Sequence, residues 1–145
     1  MTRLDLPSVL AVLIPARDIR VSRGRVELFD RVVAGLGGVR PASDGEAVQS
    51  VPPTYFFSLE LETHGLDYLD ELGVPVSAIL HGEQGFTFSA PCVPGDVVTV
   101  APRLVDYYEK RAGELGFVVK ETTFSTGDRR LATARSTIVI RGAAA

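Results

Sequence analysis

Four stretches in the second half of the chain, residues 78–90, 96–109, 115–125 and 131–141, alternate apolar and polar side chains or are dense in Val, Ile, Thr, Phe and Tyr. A period of two is the mark of a half-buried strand. The linkers between them, "PCVPGD", "RAGELG" and "STGDRR", are short and place Gly and Asp where tight turns need them. Parallel neighbours would need long crossovers, so linkers of this length require antiparallel pairing. In the last stretch Leu131, Thr133, Arg135, Thr137, Val139 and Arg141 share one face, and Ala132, Ala134, Ser136, Ile138 and Ile140 share the other.

The first half reads differently. "RDIRVSR" at 17–23 is a short strand pattern, and from Gly24 the period changes. Val26, Phe29, Val32, Val33 and Leu36 recur at three and four residues, the stripe of an amphipathic helix, with Ser22 as its N-cap and Gly35, Gly37 and Gly38 as its stop. "VRPASDGEAVQS" is a loop by composition. A second helix starts near Pro53, where a missing N–H does no harm, and Gly65 or Gly73 ends it. Its residues Tyr55, Phe56, Phe57, Leu59 and Leu61 are apolar on almost every side, so other elements are expected to surround it. Strand, helix, loop, buried helix and four antiparallel strands make an α+β chain: a single hot-dog domain over residues 1–145, its curved antiparallel sheet wrapped around a long buried helix.

The bulk chemistry narrows the function. The net charge of -3, without a basic stripe, argues against nucleic acid. The single cysteine, Cys92, rules out an internal disulfide or a thiolate zinc cluster, and its place in a turn without a neighbouring base argues against reactivity. Two histidines with no H-x-x-x-H spacing give no metal site. The apolar run Val9–Ile14 is too short for a bilayer span of roughly 20 residues, and it lacks the basic flank and cleavage site of a leader. A cytoplasmic protein that binds no membrane is the expectation, and no cofactor is expected.

The stretch "AILHGEQGFTFSAP", Ala78–Pro91, carries the most chemistry. His81 as general base with Glu83 as its orienter is one reading. In a regular strand those two share a face and Gln84 points opposite. The other reading is structural, a polar cluster that ties loop backbone to the helix at a strand start; between the two lies a substrate-contacting role. His64 reads as a histidine of the helix C-terminal turn, interacting with free carbonyls. Of Tyr107 and Tyr108, one is expected in the core and the other at the surface.

The segments "IRVSRGRVELFDRVVAGLGG", "VPPTYFFSLEL", "ILHGEQGFTFSAPCVPGDVVTV" and "ARSTIVIR" together resemble the N-terminal, dehydratase-like half of the MaoC family, in the right order and over nearly the whole chain. The resemblance implies acyl thioesters of coenzyme A or acyl carrier protein as substrates, and reversible hydration of a 2-enoyl bond. It also implies an Asp and a His from a G-D-x-N-P-x-H loop after the first helix. Here that place reads "GLGGVRPASDGEAVQS": Asp44 stands nearest the expected acid, the residue five beyond it is Gln49, and no His or Asn-Pro is present. Such a chain resembles the non-catalytic subunit of heterodimeric 3-hydroxyacyl-thioester dehydratases. The acyl channel is expected beside the start of the second helix, where Pro53, Thr54, Tyr55 and Phe57 offer backbone donors and apolar surface, and Gly82 and Gln84 are expected as further substrate contacts. Two other functions stay open: a self-sufficient homodimeric hydratase or thioesterase using His81 and Glu83, and a non-enzymatic acyl-thioester-binding module. In each case the protein pairs with a second hot-dog, its own copy or a catalytic partner, because one curved sheet leaves edges exposed.

Overall fold

A computed structural model of the chain describes residues 3–35 and 50–142. Leu36, Gly37, Gly38, Asp44, Gln49 and all of the stretch compared with the catalytic loop except Gly35 and Ser50 lie outside the described residues. The elements are α1 (Leu6–Ala11), β1 (Arg17–Arg20), α2 (Arg23–Gly35), α3 (Tyr55–Thr63), α4 (Tyr68–Glu71), β2 (Ile79–Phe88), β3 (Val97–Lys110), β4 (Leu115–Thr126) and β5 (Arg129–Arg141). The five strands form one antiparallel sheet in the order β1-β3-β4-β5-β2, so β1 and β2 are its edges. This is the hot-dog layout expected from the alternation, with α3 on the inner face. Two short elements, α1 and α4, were not legible; six and four residues are too few for a helical period to declare itself.

Local chemistry explains the boundaries. The Asp5 carboxylate accepts the Ser8 N–H at 2.8 Å and starts α1. At α2, the Ser22 carbonyl takes the Val26 N–H at 3.0 Å. The "PGD" turn is what anchors that start: the Gly95 N–H donates to the Val21 carbonyl at 2.8 Å and the Val21 N–H to the Asp96 carbonyl at 2.9 Å. Gly65, with φ +52, ends α3 by adopting the left-handed conformation that side chains resist.

The core has two parts. One gathers Tyr55, Phe56 and Leu59 of α3 with Val98, Val100, Phe124, Leu131 and Ala132 of the sheet. The other gathers Val9, Tyr68, Leu69, Leu72 and Val74 with Tyr107, Val118 and Ile140. Tyr107 is thus the core tyrosine, and Tyr108 lies on the surface, stacked on Phe117 with ring centroids 4.8 Å apart.

The surroundings of α3 are less complete than its composition suggests. Tyr55, Phe56, Leu59, Glu60 and Thr63 are buried, but Phe57 is half-buried and Leu61 is 48% exposed. One chain's sheet covers one side of this helix. The rest of its apolar surface faces outward beside the edge strand β2.

Candidate functional site

The strand β2 is not regular where it matters. Its register with β5 runs Leu80 to Val139 and His81 to Ile138, then resumes with Glu83 opposite Thr137, so Gly82 is an extra residue. A one-residue bulge inverts the alternation beyond it. His81 therefore shares a rung with Ile138 and Val118, whereas Glu83 shares one with Thr137, Val119 and Asp106. Directly paired residues point to the same face. His81 and Gln84 consequently face α3 together, and Glu83 points out of the opposite face. The pairing of His81 with Glu83 expected from plain alternation is overturned by the bulge. Gly82 owes its identity to this packing: a Cβ there would stand 2.8 Å from Val139 Cγ2 and 3.2 Å from the Thr137 carbonyl oxygen.

His81 is exposed and stacks on Phe57 of α3, with ring centroids 5.7 Å apart and planes 12° from parallel. It has no carboxylate partner among the described residues. His64 is held elsewhere: its Nε2 lies 2.6 Å from the Pro15 carbonyl oxygen and its Nδ1 2.8 Å from Thr63 Oγ1. It clasps the segment before β1 rather than the open carbonyls of its own helix.

Behind His81 lies a cavity of about 190 Å³ between α3, α4 and the inner face of β2, β5 and β4. Phe57, Leu61, Leu66, Ile79 and Ile138 form its apolar wall. Of the polar wall, sequence reasoning named Gln84 and missed the rest. Gln84, Ser136 and Lys120 are direct neighbours across three strands, a polar rung that crosses the sheet between the two apolar clusters. Opposite it, Glu60 of α3 is 3% exposed and forms an ion pair with Lys120. The Lys120 Nζ also lies 4.8 Å from the centre of the Tyr68 ring. Burial, with the Glu60 carboxylate nearby, pushes the Tyr68 phenol well above its ordinary pKa, so it stays protonated. Among the described residues, Glu60 Oε2, the Tyr68 hydroxyl and both amide atoms of Gln84 have no hydrogen-bond partner.

The signal for Lys120 was present. Period two from Val118 to Phe124 sets Lys120 on the inner face, and four residues from Phe56 along α3 bring Glu60 to the same side. The alternation identifies the face, but only the packing pairs the two charges.

The other expected site residues are dispersed. Tyr55 lines a separate groove of about 350 Å³ between α2 and α3, with Leu28, Phe29, Val32, Ser58 and the ion-paired Arg25 and Glu62. Pro53 and Thr54 are exposed at the helix start and line neither space. The free donors expected there are fewer than supposed: the Tyr55 and Phe57 N–H groups donate to the Pro52 and Thr54 carbonyls at 3.0 and 3.1 Å. Cys92 is buried, and that burial, aided by Asp96, pushes its thiol up to about 12, which makes it a poor nucleophile. No helix among the described residues is long and apolar enough to cross a membrane.

Comparisons with known proteins agree with this architecture. The family model described as "FAS1-like, dehydratase domain region" matches residues 14–134. A UPF0336 protein of Clavibacter michiganensis is 30% identical over 137 residues, covering 90% of this chain and 91% of its own. One from Thermobifida fusca is 32% identical over 92 residues, 63% of this chain and 60% of the relative, so in that case the match spans less than two thirds of the relative's length. Among solved structures, a MaoC-like dehydratase of Phytophthora capsici superposes with TM-score 0.75 at 20% identity, over 96% of this chain and half of the other. The HadBC 3R-hydroxyacyl-ACP dehydratase complex of Mycobacterium tuberculosis gives 0.64 at 20% identity, over 85% of this chain and 90% of the other. The ChsH1-ChsH2 complex of the same organism gives 0.67 at 16%, over 94% and 88%. At such identities the likeness is one of fold.

Proposed function

This chain belongs to the FAS1-like dehydratase-region family, and from that premise we propose that it is the non-catalytic hot-dog subunit of an enoyl-thioester hydratase (3-hydroxyacyl-thioester dehydratase). One observation carries the reading: among the described residues, neither histidine stands with a carboxylate. Hydration of a 2-enoyl thioester needs a positioned acid and a positioned base. The ring of His64 faces Pro15 and Thr63, and the carboxylate that could have oriented His81 lies on the other face of the sheet. Residues 35–50 contribute no His and no Asn-Pro to replace them. Solved complexes named HadBC and ChsH1-ChsH2 share the fold, which supports a two-chain arrangement.

In this arrangement a catalytic hot-dog partner supplies the Asp and His, and this chain completes the assembly and shapes the acyl channel. The thioester substrate is carried on coenzyme A or acyl carrier protein. The groove at Tyr55, open and walled by Leu28, Phe29 and Val32, has the apolar lining that an acyl chain requires. The test assays crotonyl-CoA and longer 2-enoyl-CoAs with this protein alone, with a partner that carries the Asp/His loop, and with the two co-expressed. Turnover is expected from the pair and not from this chain. Robust turnover by this chain alone, lost on His81→Ala, would overturn the reading in favour of a self-sufficient homodimer.

A further inference from the structure

The groove between α2 and α3 has two unlike walls. On α2, Leu28, Phe29 and Val32 recur at helical spacing and are apolar, with Leu28 and Val32 each 56% exposed. On α3, Tyr55, Ser58 and Glu62 recur at the same spacing and carry a phenol, a hydroxyl and a carboxylate. The Arg25–Glu62 ion pair bridges the two walls. A plain alkyl chain matches the first wall only.

Tyr55 decides what the second wall takes. Its side chain is buried, and its ring stands edge-on against Phe29, with centroids 5.5 Å apart and planes at 88°. Burial, with the Glu62 carboxylate adding to it, raises the phenol above its ordinary pKa, so the hydroxyl keeps its proton and is a donor. Among the described residues it has no hydrogen-bond partner, yet it is not sealed in as the Tyr68 hydroxyl is. It opens on the groove that Tyr55 lines, beside Arg25 and Glu62. An alkyl chain laid over it would strip away its water and return no acceptor. A site with such a donor discriminates against the chain that leaves it unpaired.

Resting on the acyl-channel reading of this groove, we propose that it selects an acyl chain with a ketone or hydroxyl oxygen within the chain, beyond the thioester. That oxygen accepts from the Tyr55 hydroxyl, and Ser58, one helical turn along, is the second polar contact. Leu28, Phe29 and Val32 cover the hydrocarbon on either side of it. Arg25 and Glu62 already neutralise each other, so the groove favours a neutral oxygen over a carboxylate.

The test titrates the purified, natively assembled protein with octanoyl-CoA and with octanoyl-CoAs that carry one ketone at successive chain carbons. Calorimetry gives the affinities, and backbone amide NMR shifts at Val32 and Ser58 report on the groove. At least one ketone position is expected to bind about tenfold or more tightly than the plain chain. Tyr55→Phe removes only the hydroxyl and is expected to abolish that preference, while octanoyl-CoA binds as well or better. Val32→Trp, at an exposed position, fills the groove from α2 and is expected to abolish binding of every chain, whether or not Tyr55→Phe folds. If no ketone position exceeds the plain chain, or a folded Tyr55→Phe variant keeps the preference, the proposal fails and the acyl channel stands. If no thioester shifts Val32 or Ser58, or a folded Val32→Trp variant binds all of them unchanged, the channel lies elsewhere and the proposal fails with it. Neither result alters the turnover of the two-chain assembly, which tests the subunit reading on its own.

Discussion

Gly82 has no side chain, and the space where one would stand is already filled by Val139 and the Thr137 carbonyl. A Cβ at this point must push the bulged strand away from β5, so Gly82→Ala is expected to destabilise the fold by about 1–3 kcal/mol. Urea unfolding should show this as a lower midpoint at unchanged slope; a shift within about 0.5 kcal/mol would mean the bulge relaxes freely. The Glu60–Lys120 pair makes the opposite kind of demand. Lys120→Ala leaves a carboxylate buried without its counter-charge and should be destabilising by about 3–5 kcal/mol. Adding Glu60→Leu removes the stranded charge, so the double variant is expected to regain most of that loss. If the double variant is as unstable as the sum of the singles, the two residues act independently and the ion pair has no energetic meaning.

Two elements meet along an incomplete margin. Among the described residues β2 is an edge strand, paired only with β5, and α3 lies beside it with Leu61 outward and Phe57 half-buried. Phe88 of β2, 48% exposed, packs on Phe56 with ring centroids 5.8 Å apart and prolongs the apolar surface. An unpaired edge flanked by apolar side chains is where a second sheet can add. Leu61→Lys is therefore expected to weaken association while changing the stability of the single chain by no more than about 0.5 kcal/mol, as exposed positions do. Light scattering against concentration, with a denaturation curve on the same sample, separates the two effects. Association unchanged by the lysine would place the interface elsewhere.

For the whole molecule, the open side of α3 has a direct consequence. A helix apolar all round is stable in water only when covered all round, and one sheet covers one side of it. The protein is expected in solution at twice 15.6 kDa or more, and a monodisperse species of 15.6 kDa at micromolar concentration would contradict this. The two-chain proposal and the homodimer alternative both satisfy that expectation, so mass alone does not separate them. The enzymatic comparison of single chains with the pair does.

How much was legible depended on the range of the signal. Alternation over ten or more residues is local and redundant, so the four long strands, the amphipathic α2 and the course of α3 followed from the sequence alone, as did the hot-dog layout and the family. A single inserted residue is a different matter. Gly82 lies within a strand pattern where a glycine can mark a bulge, but only its register with β5 reveals that His81 and Gln84 share a face while Glu83 leaves it. The same holds for Glu60 and Lys120, which are 60 residues apart in the chain, so that neither window pairs it with the other. Periodicity says which face a side chain takes, because backbone geometry repeats every two or 3.6 residues. Which faces meet, and which charges find each other there, is decided by contacts between distant segments. The candidate site is made of those.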